Sequence, residues 1–134
     1  MSAAERFFDT NVILYLFSGD AVKADRAEHE LGAGGVISVQ VLNEFAAVAS
    51  RKLRMSVAEI REALEAIRAV CRVVPLSEET HDRGLQIMER YGLSVYDAMI
   101  VSSALLAGCA TILSEDMQDG LVLDGRSKVR NPFR

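Results

Sequence analysis

The sequence predicts a three-layer α/β domain, with a mainly parallel sheet of four or five strands flanked by helices. Short apolar runs recur along the chain, and between them lie longer segments with apolar residues every three or four positions. Strands buried on both faces read as continuous apolar runs, and parallel neighbours require helical crossovers, so this alternation points to a covered parallel sheet. At 134 residues, half of them hydrophobic and only two of them proline, the chain suffices for one domain over 1–134 whose core needs no staples.

Arg6-Phe7-Phe8 reads as a short buried strand that leaves into a turn at Asp9-Thr10-Asn11. Val12 to Phe17 is apolar and reads as the start of a helix, broken at Ser18-Gly19-Asp20. Residues 21–31 form a polar helix closed by Gly32, Gly34 and Gly35, and Val36-Ile37 is the next strand. Ser38 caps a helix over about 39–54, where Val41, Leu42, Phe45, Val48, Ala49 and Leu53 make one stripe. Ser56 opens a second helix, with Val57, Ile60, Leu64, Ile67 and Val70 on its apolar face. Arg72-Val73-Val74 is a strand ended by Pro75. Ser77 starts a helix to about Arg90, with Leu85, Ile87 and Met88 as apolar positions and Gly92 as its stop. Ser94 caps a largely apolar helix to about Ala107. Thr111-Ile112-Leu113 and Lys128-Val129-Arg130 are the last strands.

Composition narrows the function. Fifteen Lys and Arg face nineteen Asp and Glu, a net charge of −4, which argues against generic charge-driven binding to nucleic acid. Basic residues nevertheless gather at 51–61 (Arg51, Lys52, Arg54, Arg61) and 126–134 (Arg126, Lys128, Arg130, Arg134), which read either as solvated rims or as surfaces for an anionic partner. Cys71 and Cys109 lack any CxxC spacing and read as inert core thiols. His29 and His81 fall in polar helices without a ligand-spaced partner. Residues 1–6 (MSAAER) contain no apolar h-region, and the apolar stretch from Ala98 to Leu113 is too short to span a bilayer, so a cytoplasmic protein is expected.

The acids are placed in a telling way. In open α/β sheets the usable crevice lies beyond the carboxyl ends of the strands. Asp9 ends the first strand, Glu44 lies in the helix after Val36-Ile37, Asp97 opens the helix after Leu93, and Ser114 and Asp116 follow Thr111–Leu113. Glu44 stands roughly 110° from the centre of its helix's apolar stripe, at the edge where a solvated acid and a site residue are equally at home. Asp97 has two open roles, since Ser94-x-x-Asp97 also has capping-box spacing. Two carboxylates ~4 Å apart repel by ~1 kcal/mol in water and ~4 kcal/mol at an effective dielectric of 20. Gathering four of them calls for a cation, and oxygen-only ligands with open positions suit Mg²⁺ or Mn²⁺ rather than zinc. Such a metal points to phosphate chemistry, while GxSxG and P-loop signatures are absent.

Phe8-Asp9-Thr10-Asn11-Val12, Asn43-Glu44-Phe45, Tyr96-Asp97-Ala98 and Leu113-Ser114-Glu115-Asp116 resemble, in order and spacing, the four acidic motifs of PIN-domain nucleases. Chain length resembles that of the small toxins of VapBC-type toxin–antitoxin pairs. The resemblance implies a PIN-like fold and a Mg²⁺- or Mn²⁺-dependent endoribonuclease that leaves a 3′-hydroxyl and a 5′-phosphate. It implies Asp9 and Asp97 as main metal ligands, Glu44 binding directly or through water, and Asp116 completing a second position. Thr10, Asn11 and Ser114 would orient ligands and water by hydrogen bonds. It further implies an RNA substrate, a cognate antitoxin seated on the helix pair 39–54 and 57–71, and a homodimer. The last motif departs from the Thr-x-Asp-x-Asp-Phe of many relatives, because Gln118 stands where a second acid is common. The competing reading is a non-catalytic PIN-like module that binds RNA or protein.

Overall fold

The computed structural model describes residues 5–134; of the N-terminal residues read for a targeting segment, 1–4 lie outside the described residues. The order is β1 (Arg6–Phe8), α1 (Thr10–Leu14), a 3₁₀ turn (Tyr15–Phe17), α2 (Ala21–Gly32), β2 (Gly35–Ser38), α3 (Val39–Arg51), α4 (Val57–Val70), β3 (Cys71–Val74), α5 (Glu78–Tyr91), α6 (Val95–Leu106), β4 (Thr111–Leu113), β5 (Val122–Leu123) and β6 (Ser127–Arg130). The sheet runs β3-β2-β1-β4-β6-β5. Five strands are parallel, and β5 pairs antiparallel to β6 at the edge. This two-residue strand takes the sheet beyond the expected four or five. Its apolar run, Leu121-Val122-Leu123, is only three residues long between Gly120 and Asp124, and Val122 is 50% exposed.

Phe7, Phe8, Val36, Ile37, Ile112 and Leu113 are fully buried, as expected for strands covered on both faces. The chain builds outward from β1 to β2 and β3, then returns to the other side of β1 with β4. That reversal is a topological switch point, where the loops after β1 and β4 diverge and leave a crevice between them.

Two sequence expectations shift. Helix α3 ends at Arg51 rather than near residue 54, because Arg54 adopts a left-handed φ of 54° and Leu53 turns outward. In α5 the buried positions are Thr80, Gly84 and Ile87, whereas Leu85 and Met88 are exposed. Glycine is what allows this, since a Cβ at Gly84 would meet the Met99 Sδ at 2.5 Å. At this crossing α5 meets α6 through its smallest residue, not through the long apolar ones.

Gly35 is likewise more than a helix terminator. A Cβ there would lie 2.6 Å from the Arg6 carbonyl oxygen and 2.5 Å from the buried Phe8 ring. Neither neighbour can yield without moving β1, so Gly35→Ala is expected to destabilise the protein by about 2–3 kcal/mol, near the upper end of overpacking costs. Urea unfolding at constant m-value checks this.

Helix α2 is fixed on the sheet by an ion pair between segments distant in sequence. Glu30, 5% exposed, accepts through Oε1 from Arg6 of β1 and from Arg130 Nη2 of β6 at 3.2 Å. Those strands are not neighbours, because β4 lies between them. Cys71 and Cys109 are buried and free, with burial pushing both thiols up to about 11. His29 and His81 are exposed.

Candidate functional site

Asp9 emerges from β1 with its N–H still bonded to the Leu113 carbonyl of β4 at 2.9 Å. Extended backbone makes it the N-cap of α1, and its Oδ1 accepts from the Thr10 N–H at 2.7 Å. Its Oδ2 accepts from the Ser114 hydroxyl at 2.7 Å, across 105 residues of sequence. Ser114 is fully buried, and its hydroxyl oxygen accepts from the Asp116 and Met117 N–H groups at 3.1 and 3.3 Å. One serine thus orients Asp9 and shapes the loop that carries Asp116.

Glu44 reaches the same place from α3. Its Oε1 accepts from the Thr10 hydroxyl at 2.6 Å and its Oε2 from Gln40 Nε2 at 3.3 Å. Gln40 Nε2 also donates to the Tyr96 carbonyl at 3.2 Å, so α3 is tied to both α1 and the start of α6. Asp97 sits in the first turn of α6. Ser94 caps that helix by accepting from the Asp97 N–H at 3.2 Å, but no reciprocal bond from Ser94 N to the Asp97 carboxylate is formed. The capping-box spacing is therefore half used, and the Asp97 carboxylate faces the cleft.

Asp9, Thr10, Asn11, Glu44, Asp97 and Asp116 all line one open cleft of about 690 Å³; Ser114 is fully buried and does not line it. Asn11 Oδ1 accepts from the Glu115 N–H at 3.4 Å, while its buried Nδ2 has no partner among the described residues. Burial raises the Asp9 pKa to about 7. The bonds from Ser114 and Thr10 pull it down, and the neighbouring Asp97 and Asp116 push it up further. The Asp97 pKa is raised by burial and then by Asp116, with Ser94 acting against the shift.

Among the described residues, no three His, Cys, Asp or Glu side chains converge into a ready-made metal cage. The donor set still fits a hard divalent cation. Mg²⁺ keeps several waters and is held by one or two carboxylates rather than by a closed protein cage. A buried carboxylate pressed by two others is the electrostatic deficit that such a cation relieves.

Several contributors were not foreseen from sequence. Gln40 stands four residues before Glu44, a helical spacing that places both on one face and that offers a readable signal. Glu115 is held by the Tyr15 hydroxyl and by Lys23 Nζ at 2.7 Å, which moors the Asp116 loop to α2. Lys23 and Glu115 lie 92 residues apart, and no local pattern announces their pairing. Of the basic group at 51–61, Arg51 lines the cleft, whereas Lys52, Arg54 and Arg61 do not.

The sequence profile of the PIN domain matches residues 6–118. No curated protein matches the chain in sequence. Among solved structures, a toxin–antitoxin complex from Klebsiella pneumoniae is similar at 23% identity and a TM-score of 0.72, covering 96% of this chain and 98% of that one. The sarcin–ricin-loop-cleaving toxin VapC20 of Mycobacterium tuberculosis is 22% identical with a TM-score of 0.66, covering 84% and 92%. FitAcB from Neisseria gonorrhoeae is 18% identical with a TM-score of 0.68, covering 96% and 98%.

Proposed function

Since the chain belongs to the PIN-domain family by a match over residues 6–118, we propose that it is a Mg²⁺- or Mn²⁺-dependent endoribonuclease, acting as a toxin restrained by a cognate antitoxin. The observation that carries this reading is the meeting of Asp9, Glu44, Asp97 and Asp116, from four separate segments, in one cleft. The likeness to a toxin–antitoxin complex supports the toxin role. VapC20, a toxin that cleaves the sarcin–ricin loop, supports RNA as the substrate class. We read the chain as one nuclease domain over 1–134, working in the cytoplasm; no helix of the described residues is long and apolar enough to cross a membrane. A homodimer belongs to the same reading.

Asp9 and Asp97 would hold the main metal, Glu44 would bind it directly or through water, and Asp116 would complete a second position. A divalent ion bound there supplies polarisation of a phosphoryl oxygen and a water of lowered pKa. The protein's own part is orientation. Ser114 and the Thr10 N–H fix both Asp9 oxygens, and Thr10 and Gln40 fix those of Glu44. Asn11 braces the loop that carries Asp116 by accepting from the Glu115 N–H.

The test incubates the purified protein with structured RNA. Cleavage that requires Mn²⁺ or Mg²⁺, stops with EDTA and leaves 5′-phosphate ends supports the reading. Metal-independent binding without cleavage favours the binding module instead. Asp97→Asn is expected to abolish cleavage yet move the melting midpoint by less than about 2 °C, because the helix cap uses the Asp97 backbone N–H rather than its carboxylate.

A further inference from the structure

Helix α3 lines the cleft along much of its length, through Gln40 and Glu44 near its start and Arg51 at its end. Seven residues separate Glu44 from Arg51, which sets them about 10 Å apart along the helix axis. Arg51 is exposed and makes no ion pair with an acid among the described residues, although acids surround the cleft it borders. A cation at a helix C-terminus is favoured by the macrodipole alone, which explains a basic residue there but not its position on the cleft wall.

We propose that Arg51 is an RNA-positioning residue, gripping a backbone phosphate that flanks the one presented to the acids. This rests on the nuclease reading and adds a direction to it. The acidic end repels RNA in the absence of metal, so the first hold on the strand is at the α3 C-terminus, and the chain is then laid along the helix toward Asp9. Guanidinium suits the task because it stays charged and bonds phosphate through two N–H groups.

The experiment follows binding of a short, fluorescein-labelled single-stranded oligoribonucleotide to the full chain in EDTA by anisotropy, across a salt series. Arg51→Ala is expected to weaken binding about tenfold and to lower the slope of log K against log salt by about 0.7, the share of one single-strand phosphate contact. Arg51→Lys keeps the slope. Arg61→Ala, which removes the same charge from exposed surface outside the cleft, changes neither quantity. With Mn²⁺, Arg51→Ala raises KM by a similar factor and leaves kcat unchanged. Wild-type affinity and slope in Arg51→Ala overturn the proposal, as does an equal loss in Arg61→Ala. Should the wild type fail to cleave with Mn²⁺ while the Arg51 binding loss stands, the nuclease reading falls and the grip survives.

Discussion

Asp9→Asn is expected to cripple metal-dependent RNA cleavage and, in the metal-free protein, to raise the melting midpoint at neutral pH. The two effects share one cause. Burial and the nearby Asp97 and Asp116 raise the Asp9 pKa from 3.8 to about 7. A carboxyl whose pKa is raised on folding contributes most to stability below its unfolded pKa, and that contribution is lost as pH rises through the folded pKa. The loss therefore spans pH 4 to 7 and amounts to about 4 kcal/mol at 1.36 kcal/mol per unit. Asn carries no charge across this range. It gives up about 1–2 kcal/mol by weakening the bond from Ser114, which leaves a net gain at pH 8. Calorimetry from pH 4 to 8 in EDTA checks the sign: the stability of the variant relative to wild type should rise over this interval, since the other titrating groups are common to both. Adding Mn²⁺ should then stabilise the wild type more than the variant, because a ligand that binds only the folded state raises its midpoint. Cleavage should drop roughly a thousandfold, the equivalent of about 4 kcal/mol of transition-state stabilisation. A variant that is less stable than wild type at pH 8 contradicts the electrostatic account of the cleft.

Glu30→Ala is expected to be the most destabilising single change at a charged residue, by about 3–5 kcal/mol. It leaves the Arg6 and Arg130 guanidinium groups without the acceptor that joins β1 and β6 through α2. Burial pushes the Glu30 carboxyl up, but the bonds from Arg6 and Arg130 outweigh it and hold the pKa below 4.5. The sign is thus opposite to that of Asp9. This contribution is complete above pH 4.5 and disappears as pH falls through the lowered value. Urea titrations at pH 7 and pH 3 test it, and the gap between wild type and Glu30→Ala should narrow at the lower pH.

Much of this architecture was readable because its signals are local. Ser38, Ser56, Ser77 and Ser94 each cap the helix expected of them, since a cap and the N–H it serves lie three residues apart. Asp9, Glu44 and Asp116 were readable because parallel α/β topology carries strand ends to one edge, whereas Asp97 opens α6 directly after α5 and was marked by its place in the first turn of an apolar helix. What escaped depends on partners brought together by the fold. The burial of Gly84 in place of Leu85 is set by Met99 on another helix, and the pairing of Glu30 with Arg6 and Arg130 spans 24 and 100 residues. Strand β5 escaped because it exists only by pairing with β6. Arg51 was visible as part of a basic group, but only the packed helix separates it from Lys52, Arg54 and Arg61.

The bond between Ser114 and Asp9 has a bearing on when the cleft exists at all. Its two ends lie 105 residues apart in sequence, and β1 gains its β4 neighbour only after Leu113 has left the ribosomal tunnel. Contacts of such long range form late, after the local helices. A nascent polypeptide halted before that point holds Asp9 without its hydroxyl donor and without the loop of Asp116. Whatever chemistry the cleft performs waits until the segment through Asp116 has been made and folded against β1.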